Sequence, residues 1–423
     1  MKGLDKFILG AVLILFCLVS LVPFFAMNHI KILVLPIHYL IVGGSIGILV
    51  VLKSGYQRAK LTSFDKWLFV LMLGFSLSLI TSVDRLYTLQ SLVSFFLRGV
   101  GVAFVVHKIV ILEKRKNLLV LVLLFVVSIV CLIGLVEFFT GRIPFFHRLY
   151  IENVETYPTE IRGRSGMMST IGHPLVLSAY LVLIIPVAIL FFQTKKTIFS
   201  LLPLAVIFPT ILLSFSRSSW ISSILVLGMY FWNKENKMRI LNFINKYIIL
   251  LIVLSGVCIL AFFITPRLKN TFLYRVNPQT LKSETLDSHR FNSYRTTWNI
   301  IRKYLLFGVG MGNYPKVHNV YRAEGTSEDV ETPDNMYLRF LSETGLVGTL
   351  TFFCFIFYWL YQFWRNRNDI FIWTIFVGLI GFLINMMTGD FFYWLPTQFL
   401  FWFMLGIGVA SLNEVKRNQG QKF

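Results

Sequence analysis

The stretch that decides the fold is TPDNMYLRFLSETGLVGTLTFF, from Thr332 to Phe353. Its second half is apolar enough to enter hydrocarbon. Its first half carries Asp334, Arg339 and Glu343. On a helix Arg339 and Glu343, four residues apart, share a face and can pair. Asp334 or Asn335 can cap the helix start, because a short polar side chain accepts hydrogen bonds from free first-turn N–H groups. Ionisable groups carried towards lipid need a protein interior or a polar cavity to receive them.

Working outward, apolar runs recur along all 423 residues, which are 56% hydrophobic, 16% aromatic and 14% charged. Soluble domains usually hold about 25% charged residues. Continuous runs of about 17–25 apolar residues indicate a polytopic α-helical membrane protein, and their lack of alternation excludes a β-barrel. The expected fold class is all-α, with about twelve spans at roughly 7–27, 32–52, 67–83, 89–107, 118–139, 174–193, 197–214, 216–233, 247–265, 336–361, 370–388 and 391–412. The first span is followed by no small-residue cleavage site and reads as retained rather than as a signal peptide.

Lys and Arg concentrate in alternate short loops, which places both termini in the cytoplasm. The chain then divides into 1–139 (spans one to five), 140–173 (a first outer loop), 174–265 (spans six to nine), 266–335 (a large outer loop with a surface helix) and 336–423 (the last three spans and a cytoplasmic tail). The net charge of +20 is read as an inner-face anchor on the lipid membrane, and no basic stripe with interleaved aromatics points to nucleic acid. Cys17, Cys131, Cys258 and Cys354 fall in apolar runs and suit packing. The His residues have no metal-ligand spacing, so no metal and no cofactor are expected. No Walker or Rossmann loop occurs, which directs the chemistry to the outer face.

Thr197 to Trp232 gives 36 residues for two helices, so Arg217 in SFSRSSW must sit at or just below the outer interface, ringed by Ser214, Ser216, Ser218 and Ser219. It either snorkels to headgroups or marks an anion site. Arg98 lies mid-span in LQSLVSFFLRGVGVAFVV. It needs either a carboxylate partner, for which Glu137 and Asp390 are candidates, or a buried anionic head group. The large outer loop contains SHRFNSYRTTWNIIRKYLLFGVGMGNY. Tyr294, Trp298, Ile301 and Leu305 recur near helical spacing with Arg290, Arg295 and Arg302 among them, as in an amphipathic helix lying on a membrane. Gly308, Gly310 and Gly312 follow, and suit a tight turn or a backbone nest for an anion.

The order of IGHPLVLSAYLVLIIP (171–186), SFSRSSW (214–220), SHRFNSYRTTW (288–298), FGVGMGNY (307–314) and DNMYLRFLSETGLVG (334–348) resembles the O-antigen ligase and O-antigen polymerase superfamily. The resemblance implies glycan transfer from an undecaprenyl-diphosphate-linked donor on the outer face of the bacterial cytoplasmic membrane. It implies no nucleotide sugar and no metal, and it brings in a flippase and a chain-length regulator as partners. Arg217 and Arg290 match the family's arginines, with Arg295 beside them and Arg98 as a further cation for the diphosphate. Guanidinium forks suit phosphate oxygens. The attacking hydroxyl needs a general base. Ligases of the family usually carry His at the position of Asp334. A carboxylate away from bulk water can do the same work, so Asp334 is the candidate base, and His318 in KVHNVY is its rival. Arg339, Glu343 and Gly310 are then expected to line the cavity. The His-to-Asp departure favours a polymerase of O-antigen, capsule or exopolysaccharide repeat units over a ligase. A transporter of anions or lipid-linked glycans, and an envelope scaffold, are the readings from other classes.

Overall fold

The computed structural model describes residues 2–21, 42–46, 62–113, 116–140, 166–195, 197–232, 284–324 and 332–419. Regular structure among them is all helical. The principal helices are α1 (Lys2–Leu21), α2 (Ser63–Ser76), α3 (Arg85–Phe95), α4 (Gly101–Glu113), α5 (Lys116–Thr140), α6 (Pro174–Lys195), α7 (Leu202–Leu213), α8 (Arg217–Trp232), α9 (Glu284–Lys303), α10 (Met336–Arg365), α11 (Ile370–Asn385) and α12 (Leu395–Asn418). A π-helical turn, Phe96–Val100, joins α3 to α4. The expected span at 247–265 with Cys258, most of that at 32–52, and loop segments 141–165, 266–283 and 325–331 lie outside the described residues.

Among the described residues six helices are long and apolar enough to cross a membrane: Arg85–Val110, Lys116–Thr140, Pro174–Lys195, Met336–Arg365, Ile370–Thr388 and Leu395–Asn418. α7 and α8 have only 12 and 16 residues and are joined by the tight turn at Ser214–Ser216. α6 and α12 are apolar all round and form the centre, as a helix without a polar face must. α12 packs along α4, α11 against α6 and α8, α7 against α5, and α10 against α2. Phe75, Phe95, Phe340, Phe352, Phe392 and Trp402 make a ring-to-ring cluster between α2, α3, α10 and α12. Two of its rings, Phe95 and Phe392, form an apolar wall of the polar pocket described below.

One device fixes the start of α10. α10 is broken at Gly345, which stands at φ 65° and ψ −171°. A break strands the carbonyls before it and the N–H groups after it. The glycine-rich loop supplies both sets of partners. Val309 N donates to Ser342 O (2.9 Å) and Gly310 N to Glu343 O (2.9 Å), while Leu346 N donates to Leu305 O (2.8 Å) and Val347 N to Leu306 O (3.2 Å). Gly308, also at positive φ (74°), lies against the same break. A Cβ on Gly345 would stand 2.4 Å from the Leu306 carbonyl carbon. Gly345→Ala is therefore expected to destabilise the protein by at least about 2 kcal/mol, from backbone strain plus the clash. Gly10→Ala in α1, where nothing lies within 4 Å, should leave stability nearly unchanged. Thermal unfolding in detergent compares the two.

Candidate active site

Arg339 sits on the buried face of the first α10 segment, 5% exposed. Its Nε donates to Glu343 Oε1 (3.1 Å), its Nη1 donates to Asp390 Oδ2 (2.5 Å), and its plane lies over the Tyr393 ring, 3.5 Å from the centroid. The same-face pairing expected from sequence is present, and Asp390 enters as a second partner from the turn between α11 and α12. Glu343 is satisfied all round. Besides Arg339 it accepts from Gly312 N (2.9 Å), Tyr314 N (3.3 Å) and the Tyr393 hydroxyl. The glycine-rich loop is thus a backbone nest for an anion, as its spacing allows, and the anion it holds is the protein's own Glu343.

Beside this cluster opens a pocket of about 300 Å³. Gln90, Ser91, Ser94 and Arg98 line it from α3, Met311 and Gly312 from the loop, Arg339 from α10, and Phe392, Tyr393 and Gln398 from the far side. Residues 90, 91, 94 and 98 fall on one helical face, so α3 turns a polar stripe inward from an otherwise apolar span. Loop and stripe are tied together. Asn313 Nδ2 donates to Thr88 Oγ1 (2.8 Å), Lys316 pairs with Asp84 (2.6 Å), and Val83 N donates to Val309 O (3.1 Å).

Asp334 stands at the start of α10 with φ 47°, a left-handed conformation that Asp tolerates better than most residues. It is not the cap. Asn335 is, accepting from Tyr337 N (3.0 Å) and Leu338 N (3.1 Å). The Asp334 carboxylate, half-buried, accepts from Thr332 Oγ1 (3.3 Å) and stays close enough to His173 and Asp390 to act on their charges. Burial pushes Asp390 up to about 6, with Asp334 and Glu343 adding to the rise and Arg339 opposing it. Burial pushes His173 down, against the pull of Asp334, and its ring packs on Trp394 at 5.6 Å. Burial and the Glu343 charge raise Tyr393 well above the ordinary phenol value, so it remains a donor.

The other sequence candidates are distributed differently. Arg217 opens α8 and is exposed. The hydroxyls around it do not form a donor shell. Ser219 Oγ bonds to Ser178 Oγ (2.7 Å) and Asn385 Oδ1 (3.0 Å), Ser216 bonds to Ser218 and Ser219 (3.2 and 3.0 Å), and Ser214 donates to Ile211 O (2.7 Å). These bonds stitch α8 to α6 and α11, because buried hydroxyls need partners. Arg290 is exposed on α9, and Arg295 stacks on Phe291, 4.6 Å from the ring centroid, in a separate cleft. His318 is buried, its Nδ1 2.8 Å from Pro315 O. Gly310 packs against Ser82 and Thr88, leaving Met311 and Gly312 to line the pocket. Glu137, a candidate partner for Arg98, accepts from Met168 N (3.2 Å) and Ser169 N (2.6 Å), and so holds the turn that leads to His173.

Sequence reading passes over His173, Tyr393 and the polar stripe of α3. The stripe carries a signal, polar residues at helical spacing up to Arg98. His173 and Tyr393 carry none until the tertiary structure sets them beside α10.

Among the described residues the helices and the site define an all-helical protein with several membrane-spanning helices and a polar pocket lined by Arg98 and Arg339, the second of which pairs with Glu343 and Asp390. Residues 202–353 match the family described as O-antigen ligase (Wzy_C), and that match supports the O-antigen ligase and polymerase superfamily and glycosyl-transfer chemistry of its general type. The matched segment includes Arg217, Arg290, Asp334, Arg339 and Glu343. No curated protein matches the chain.

Proposed function

We propose that the protein polymerises undecaprenyl-diphosphate-linked oligosaccharide repeat units on the outer face of the bacterial cytoplasmic membrane, with both termini inside. The observation that carries this reading is the Asp334 carboxylate. It is half-buried, released from capping by Asn335, and coupled through Asp390 and Arg339 to a pocket that also holds Arg98. Asp334 takes the proton of an acceptor hydroxyl. The oxygen bonds to the anomeric carbon of the donor, the bond from that carbon to the diphosphate oxygen breaks, and undecaprenyl diphosphate leaves with the electron pair. Guanidinium groups stabilise the charge that develops on the leaving group, a role for Arg98 in the pocket, with the exposed Arg217 and Arg290 as further cations for the diphosphate. The Arg339–Glu343–Asp390 cluster holds the helix start that carries the base. A flippase and a chain-length regulator are the partners this reading implies, and the chemistry needs no metal in it.

The test uses purified protein and lipid-linked repeat units from the same host, with products separated on a gel. A ladder without further additions is the expected result. Transfer only after a lipid or protein acceptor is supplied would make the protein a ligase. An intact donor under both conditions would remove the enzyme reading and direct attention to transport.

A further inference from the structure

We infer that the cleft between the outward face of α9 and the first turn of α10 is a subsite for an acidic sugar of the glycan; the inference rests on the glycan-transfer reading. The buried face of α9 is unusual. Ser293, Thr296 and Thr297 point inward with Ile300 and Ile301, and they are held by Ser293 Oγ to Thr332 O (3.0 Å) and by the Thr297–Tyr314 hydroxyl pair (2.8 Å). The large rings point the other way. Phe291 is 57% exposed and Trp298 48%. With Tyr294, Arg295, Arg302 and Leu338 they line an open cleft of about 480 Å³, within the size range of small-molecule sites.

The chemistry of the lining selects the occupant. Residues 291, 294, 295, 298 and 302 share one helical face, so rings and guanidinium groups alternate along it. Arg295 lies 4.6 Å from the Phe291 centroid and Arg302 5.8 Å from that of Trp298. The stacking orients the guanidinium planes while leaving their forks exposed. Among the described residues no carboxylate lines the cleft. A pyranose presents weakly positive C–H edges that pack on the negative face of an aromatic ring. A carboxyl group on that pyranose accepts the two-pronged hydrogen bond that Arg offers. A hexuronic acid or similarly carboxylated sugar satisfies both demands at once. The position fits as well, since Leu338 lies in the first turn of α10, whose cap Asn335 directly follows Asp334, and a chain seated in the cleft reaches the helix start that carries the candidate base.

The test titrates the full-length protein in neutral detergent with a hexuronic-acid tetrasaccharide and with its carboxyl-reduced counterpart, by calorimetry. The acidic sugar should bind about tenfold or more tightly than the neutral one, and Arg302→Ala and Trp298→Ala should each weaken it about tenfold. Trp298→Phe keeps a ring and should keep most of the affinity. Equal affinity for the two sugars, or wild-type affinity in both alanine variants, overturns the assignment. So does unchanged sugar binding accompanied by weaker binding of the alanine variants to phosphatidylglycerol vesicles, which would make the face a membrane contact. The titration contains no lipid-linked donor. Donor consumption, measured in parallel, therefore tests the transfer reading separately from the subsite.

Discussion

Arg339→Met should destabilise the protein by about 3–5 kcal/mol, the range for removing one partner of a buried ion pair. The guanidinium is 5% exposed and bridges Glu343 and Asp390, which are 0% and 7% exposed. The loss does not fall evenly on the two acids. Glu343 retains the N–H groups of Gly312 and Tyr314 and the Tyr393 hydroxyl. Asp390 has only Arg339 as a side-chain partner among the described residues, and its Oδ1 is buried without one. The charged carboxylate left behind is therefore chiefly Asp390, which burial already drives towards protonation. Adding Asp390→Asn to Arg339→Met should accordingly recover part of the loss, because the amide removes the stranded charge. Thermal unfolding in detergent measures all three proteins. A single variant as stable as wild type, or a double variant less stable than the single, would mean that the cluster does not hold the start of α10 in place.

How much of this is legible in the sequence depends on how far apart the cooperating residues lie. The helical regions at 174–193 and 336–361 are legible because the first is a continuous apolar run and the second becomes largely apolar from Gly345 onward, and α6 and α10 occupy them. The Arg339–Glu343 pair is legible because a helix repeats every three to four residues. Asp390 is 51 residues from Arg339, a separation with no period, so sequence alone leaves it as a possible partner for Arg98. The glycine-rich loop is legible as an anion nest, yet its occupant is not. The nest is completed only when Gly345 breaks α10 and turns Glu343 towards it, and a lone glycine in a membrane helix is too common to announce a break. The cationic stripe of α9 is legible as amphipathic. Which face turns outward is not, because the inward hydroxyls find their partners in Tyr314 and Thr332, residues at other points of the fold.

Asp334→Asn should lower polymer formation by about 10²–10⁴-fold, the usual contribution of a general base, with normal amounts of protein in the membrane. Folding is not expected to suffer, because Asn335 and not Asp334 caps α10, and Asn tolerates the left-handed backbone at φ 47° as well as Asp does. The substitution keeps size and hydrogen bonding while removing the proton acceptor. Asp334→His is the informative companion. Related ligases, by the resemblance drawn from DNMYL, carry an imidazole at this position, so His should restore a measurable part of the rate that Asn loses. The restored rate should fall on the acid side as the imidazole protonates, near its ordinary value of about 6.5. A ladder of wild-type length from Asp334→Asn would remove Asp334 from proton transfer. His173 and Asp390 would then be the remaining candidates, since the charge of Asp334 acts on both and burial sets both away from their ordinary protonation. Loss in both the Asn and His variants with retained membrane levels would instead assign Asp334 a geometric requirement for a carboxylate, as expected of a base that must reach its acceptor hydroxyl from a fixed, left-handed turn.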